Sequence, residues 1–202
     1  TDDAAWEGLS TGAWAHYGND SAYEEVYGKL YNWFAVADSR GLCPSGWDVP
    51  TDAEWTHLLN YFGEGSVASG KMKATGTEYW TTPNEGATNE SGFTGLPGGH
   101  RIPNGSFGNQ GNFAYFWSST EIGSDFAWYR SLVYSSAVLG RSNYFKNYGI
   151  SVRCLRDFDS LPLSNVEVDS VTSTSASVSS EVQADGGSTV TRRGVGLHLR
   201  RH

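Results

Sequence analysis

Trp55, Leu58, Leu59 and Phe62 recur at helical spacing and predict an amphipathic helix of about three turns with one buried face. Its start is also written in the chain. Thr51 followed three residues later by Glu54 is a capping box, Asp52 suits the positive helix end, and the helix ends near Gly63. Residues 67–74 predict a second, shorter helix between Gly65 and Gly76, with Gly70 an unfavourable interior residue. Upstream, Tyr27 to Val36 reads YGKLYNWFAV, an aromatic and apolar run with weak alternation that suits a largely buried strand or a short helix. The following DSRGLCPSGW is a loop, because Gly, Pro and Ser break the pattern.

Residues 76–112 are Gly, Asn, Thr, Pro and Ser with little periodicity, and so long a loop in a folded domain is usually functional. Short strands follow: FAYFWSST, FAWYRSLVYSS, a polar-aromatic turn over 141–148, then YGISVRCLRD. In the middle strand Trp128, Arg130, Leu132 and Tyr134 share one face, and Tyr129, Ser131, Val133 and Ser135 share the other. One face is expected on the core and the second free. After Asp157 the composition turns to Ser, Thr and Val without a single Trp. Val166, Val168, Thr174, Ala176 and Val178 hint at alternation, and Asp185-Gly186-Gly187 suggests a hairpin turn. The expected division is therefore a domain over 1–157 and a β-rich segment over 158–202 that is too short to close a β-sandwich.

The formal charge of −8 removes nucleic acid from the expected partners, since phosphate-backbone binding needs a basic surface. No apolar run reaches the roughly 18 residues of a membrane-spanning helix. The chain starts at Thr1 and its one methionine is Met72, so a mature or excised piece without its signal peptide is expected. Cys43 and Cys154 stand 111 positions apart, unlike zinc ligands, which come in closely spaced pairs. A disulfide across that span would stabilise by roughly 4–5 kcal/mol in the chain-entropy model; buried free thiols or a reactive thiol are the alternatives.

Catalytic patterns are weak. His16, His57, His100, His198 and His202 sit in no frame with a nucleophile and an acid, and read as surface histidines. Glu85, Glu90, Glu121 and Asp125 are the carboxylates of the loop-rich region and read as solvated acids rather than a glycosidase pair. Asn84, Glu85, Asn89 and Glu90 are weak candidates for calcium, because hard cations want several loop oxygens. No other cofactor is expected. Gly98-Gly99 and the glycines at 105, 108 and 111 lack the helix and Lys-Ser/Thr of a phosphate cradle and read as turns.

Eight tryptophans, eleven tyrosines and nine phenylalanines must be divided between core and surface. Trp33, Trp47, Trp55, Trp117 and Trp128 lie among scaffold-like residues and are assigned to the core. A second class of ring sits in polar surroundings: Phe107, Phe113, Tyr115, Tyr129 and the Tyr144-Phe145 pair. Rigid rings flanked by small polar residues have the composition of binding loops. The candidate ligand-binding set is Phe107, Asn109, Phe113, Tyr115, Tyr129, Ser131, Val133, Asn143, Tyr144 and Phe145, with capping of the core edge as the alternative role.

The runs GKLYNWFAVADSRGLCPSGWDVPTDAEWTHL, GFTGLPGGHR, FWSSTE, AWYRSL and GISVRCLRD, in this order, resemble the Fibrobacter succinogenes major paralogous domain over roughly 12–157. VPTDAEW and the closing SVRC are also similar to motifs of the formylglycine-generating family. Both resemblances imply an α+β, C-type-lectin-like fold: two helices, a small twisted and mainly antiparallel sheet, and here a short β tail. The paired reactive cysteines of the formylglycine-generating enzymes are not matched, since only Cys154 lies in that region. The Glu-Pro-Asn and Trp-Asn-Asp signatures of calcium-dependent lectins are absent as well. The segment TSTSASVSSEVQADGGSTVTRRGVG resembles the opening strands of immunoglobulin-like repeats of bacterial surface proteins. The resemblance implies a secreted or cell-surface, noncatalytic module for recognition or adhesion, binding a glycan or a protein through the aromatic-polar surface near its C-terminal strands. The alternative is a structural subunit whose same face binds copies of itself in an extracellular fibre or array.

Overall fold

Trp6, in the first helix α1 (Asp3–Glu7), is fully buried and donates its indole N–H to the carbonyl of Asn147 at 2.9 Å, tying the start of the chain to residues 141 positions away. The computed structural model describes residues 3–63 and 65–156, together with the backbone of 163–171 and 176–182. The chain divides between Leu155 and Arg156 into two units.

In the first unit, strand β1 (Trp14–Ala15) pairs antiparallel with β2 (Leu30–Tyr31), and the intervening chain makes 3-10 turns and the short helix α2 (Glu24–Tyr27). Asn32 then caps helix α3 (Trp33–Val36). Its fully buried amide is satisfied on both sides, the oxygen accepting from Ala13 and Ala35 and the nitrogen donating to Thr11. The Tyr27–Val36 run is thus both strand and helix, each one turn or less, because a capping asparagine divides it.

Strand β3 (Trp47–Asp48) precedes helix α4 (Asp52–Tyr61), which has both halves of the predicted capping box: the Glu54 amide donates to the Thr51 hydroxyl, and the Thr51 amide donates to the Glu54 carboxylate. Trp55 is buried, and Leu58, Leu59 and Phe62 pack partly buried beside it. Helix α5 (Ala68–Met72) is buried along most of its length. Gly70 is a packing requirement, since a Cβ there would lie 2.2 Å from the Gly86 carbonyl oxygen.

Among the described residues the long 76–112 tract carries only β4 (His100–Arg101) and β5 (Phe107–Gly108), which pair with each other. Backbone hydrogen bonds nevertheless hold it to its surroundings: Gly95 to Met72, Thr88 to Gly70, Glu85 to Tyr134 and Gly99 to Phe113. Phe93 and Leu96 pack it onto the core.

The central sheet is an antiparallel meander of β6 (Phe113–Ile122), β7 (Phe126–Val133) and β8 (Ser136–Phe145). Most of the stretch 141–148, expected as a turn, is therefore the second half of a strand; Asn143 pairs with Trp128 and Tyr144 with Ala127. Both faces of the sheet are covered. On one, Trp55, Met72 and Trp80 meet Phe116, Leu132 and Leu139. On the other, Trp33 and Ile150 meet Tyr115, Trp117 and Tyr129. The α+β class with small, mainly antiparallel sheets stands.

Two of the tryptophans assigned to the core are placed otherwise. Trp47 is 42% exposed, because β3 is a two-residue strand paired only to β9 (Leu155–Arg156) at the periphery. Trp128 is half-buried, its ring covered by the Arg141 guanidinium at 3.4 Å rather than by apolar side chains. Next to β9, Cys43 and Cys154 form a disulfide with Cα atoms 5.9 Å apart, which settles the three alternatives left by the sequence.

In the second unit, β10 (Leu163–Val171) and β11 (Ala176–Val182) pair antiparallel, with Val171 opposite Ala176. The turn expected at Asp185-Gly186-Gly187 lies outside the described residues.

Candidate functional site

Alternation along β7 correctly separates its residues into two sets, but the second set is not free. Tyr129 and Ser131 are buried and Val133 is half-exposed; Ser135, beyond the end of β7, is the one exposed member of the set. The cause is the polypeptide on either side of the meander. Arg101 exchanges backbone hydrogen bonds with Gly149, and Trp117 and Tyr115 bond Ser151, so 98–101 and 148–152 lie across this face. Tyr115 on β6 is buried for the same reason. Small residues permit the closure: Gly149 would place a Cβ 2.9 Å from the Trp6 ring, and Gly99 one 2.4 Å from the Gly108 carbonyl.

What results is a cross-stacked cluster of rings. Phe113 and His100 stack on Tyr115 with centroids 5.2 Å away in both cases and planes within 10°. Tyr144 stacks on Tyr129 at 4.3 Å and on Tyr148 at 4.1 Å, and Tyr115 meets Tyr129 edge-on at 5.6 Å. A hydroxyl is held as well. The Asn109 amide donates to the Tyr115 hydroxyl at 3.0 Å. Asn109 is held at a positive φ of 64°, in the left-handed region that Asn tolerates better than most residues.

Electrostatically the cluster is neutral. Burial, reinforced by the neighbouring Tyr115 and Tyr129, pushes the Tyr144 hydroxyl far above the usual phenol range, and burial raises Tyr115. Burial lowers His100, which favours its neutral form. His100 Nδ1 and Gln110 Nε2 are buried without a hydrogen-bond partner. Such a set of groups can stack and can donate or accept hydrogen bonds.

Of the ten candidate residues, Asn109, Phe113, Tyr115, Tyr129 and Tyr144 belong to this cluster. Tyr144 is half-exposed and Asn109 is exposed at its rim, whereas Asn143, next to Tyr144 on β8 and opposite Trp128, is exposed on the other face of the sheet. Phe107 lies apart, beneath the Arg101 guanidinium and against Tyr17. Phe145 points elsewhere too, 50% exposed and packed on Phe126. His100, expected as a surface histidine, and Tyr148 were missed; one lies in the two-residue β4 and the other in the turn after β8, segments too short to show periodicity.

The calcium candidates are not brought together. Asn84 is buried and donates to the carbonyls of Ala74 and Gly76, Asn89 closes its own loop on Thr94, and Glu90 faces Lys71 at 3.6 Å. Glu85 stands exposed; its carbonyl accepts from the buried Lys73 ammonium. Among the described residues no group of three or more His, Cys, Asp or Glu gathers as metal ligands would. Glu121 is used by Lys146 at 2.6 Å.

A disulfide-closed α+β domain built around a neutral aromatic cluster is the class defined by this geometry. The chain belongs to the Fibrobacter succinogenes major domain family, whose model matches residues 2–156. Neither a curated protein nor a solved structure matches the chain.

Proposed function

We propose that residues 3–156 form a noncatalytic recognition module of the bacterial cell exterior. It binds a neutral glycan or protein surface against the outer rim of the ring cluster: Tyr144, Tyr148 and Asn109. The observation that carries this reading is the cluster itself, with rings fixed by stacking and by the hydrogen bond from Asn109 to Tyr115 and the outermost half-exposed. Prelocked aromatic groups lose little conformational entropy on binding, which is why rigid Tyr and Trp anchor recognition surfaces. A disulfide supports an oxidising compartment, since cytosolic thiols are kept reduced. The helices preceding an antiparallel meander, with the disulfide joining the loop before α4 to the chain's return beside β3, support a C-type-lectin-like superfold.

The test is a glycan and protein array probed with the chain and with Asn109→Ala, Tyr144→Ala and Tyr148→Ala. Loss of a wild-type signal in the rim variants is expected, with the fold of each variant checked by its melting; full binding by all three variants sinks the reading. Tyr115 and Tyr129 are unsuitable, because their truncation opens a cavity in the core.

A second reading, self-assembly, is favoured by one feature: β8 is an edge strand that exposes Val138 and Phe145 at 50% each, and open edges template further pairing. Sedimentation that stays monomeric at high concentration rejects it.

A further inference from the structure

Trp14 is 47% exposed, whereas Trp6, Trp33, Trp55, Trp80 and Trp117 are all at or below 7%. Its ring borders an open cleft of about 310 Å³ between the β1–β2 pair and the loop 38–42, shared with Tyr31, Asp38, Arg40 and Leu42. This volume is at the lower end of small-ligand sites.

The indole is held in place from outside the cleft. The Lys29 ammonium lies 4.9 Å from the ring centroid, and the His16 ring meets it edge-on at 5.1 Å. Glu24 fixes both supports, pairing with the Lys29 ammonium and with His16 Nε2 at 2.7 Å. Across the cleft, Arg40 grips Asp38 through Nε at 2.9 Å and Nη2 at 2.6 Å, and the Arg40 amide donates to the same carboxylate. Gly41, at a φ of 77°, turns the loop so that its amide donates to the Asp38 carbonyl. On the floor Gly12 packs closely, since a Cβ there would sit 3.1 Å from Ala35 Cα.

We propose that this cleft is a binding site for a neutral saccharide, the flat C–H face of one sugar ring lying on Trp14 and its hydroxyls meeting the Asp38–Arg40 fork. Three features select that ligand. Each cation around the cleft already has its own carboxylate, Lys29 with Glu24 and Arg40 with Asp38, so no surplus charge attracts an ionic group. The fork offers both halves of what a hydroxyl needs. A guanidinium has five N–H donors, of which Asp38 occupies two, and the carboxylate keeps acceptor capacity beyond the three bonds from Arg40. An extended peptide cannot pair with β2, which is already paired on both sides, to β1 and, through Tyr31, to Ile150. This site is separate from the tyrosine cluster and does not rest on that cluster binding anything.

The test uses the full chain and four neutral probes, the tetrasaccharides of cellulose, xylan, mannan and chitin, followed by amide and indole NMR shifts. At least one probe is expected to move the Trp14 indole and the Gly41 amide saturably. Trp14→Ala, at an exposed position, should weaken that titration roughly tenfold or more. Trp14→Phe, which keeps an apolar ring, should weaken it less, and Tyr61→Ala, an exposed ring outside the cleft, should leave it unchanged. The proposal is overturned if none of the four probes shifts these signals, if saturable binding survives Trp14→Ala intact, or if the shifts fall only on Asn109, Tyr144 and Tyr148.

Discussion

Arg130 on β7 donates to the Asp52 carboxylate at 2.8 Å, fixing the first turn of α4 to the middle of the sheet across 78 positions of sequence. The same guanidinium nitrogen reaches the Asp52 carbonyl and the Thr56 hydroxyl, and Arg141 closes on the other side of the carboxylate at 2.9 Å. Arg130 is buried, so its partner cannot be replaced by water at no cost.

Asp52→Ala is therefore expected to destabilise the domain by roughly 3–5 kcal/mol, the loss on leaving a buried charge unpaired. Arg141→Ala removes an exposed partner of the same carboxylate and should cost about 1 kcal/mol or less in pairing. Urea unfolding of the two variants checks the contrast; equal losses would contradict it.

Replacing Cys43 and Cys154 by Ser should cost roughly 4–5 kcal/mol, the chain-entropy value for so long a loop. Denaturation midpoints of wild type with and without reductant should differ in the same direction, and the double variant should ignore the reductant.

Gly70→Ala separates helix propensity from packing. In an exposed helix this change gains about 1 kcal/mol. Here the new methyl meets the Gly86 carbonyl oxygen at 2.2 Å, and overpacking of this kind typically costs about 1–3 kcal/mol. A lowered melting temperature is expected; a raised one would mean that the 86–88 turn yields freely.

Alkaline pH should expose the tyrosine cluster. Tyr144 and Tyr115 have hydroxyls held above the ordinary value of 10.0, so the unfolded chain loses its protons first and stability falls as pH rises beyond that value. Lys73 acts in the opposite sense at lower pH. Burial lowers it to about 8 from 10.5, so between these values the unfolded state binds more protons and stability rises with pH. Melting temperatures measured across this range should show both limbs, and Tyr144→Phe should flatten the upper one.

Much of this was readable in the residues. The capping box at Thr51 and Glu54, the helical spacing from Trp55, and the two faces of β7 are local patterns, and local patterns survive folding. What covers a face is not local. Tyr129 looked free because it lies opposite the Trp128 face of the strand, yet the segments that bury it, 98–101 and 148–152, carry no periodicity and are placed by backbone bonds such as Arg101 to Gly149. Trp47 failed for the reverse reason, as a ring in scaffold-like sequence at the rim of a two-residue strand. Trp14 did carry a signal, an isolated ring between Gly12 and His16, of the kind used to pick out Phe107.

The link from Cys43 to Cys154 also decides how the domain bears force. A pull on the chain beyond Arg156 reaches Cys43 through the sulfur–sulfur bond, without loading α4, the meander or the long loop between them. The 111-residue stretch it brackets represents roughly 370–400 Å of slack at full extension. Under oxidising conditions none of that length can be drawn out, and a reductant turns the domain from a short tether into a long one.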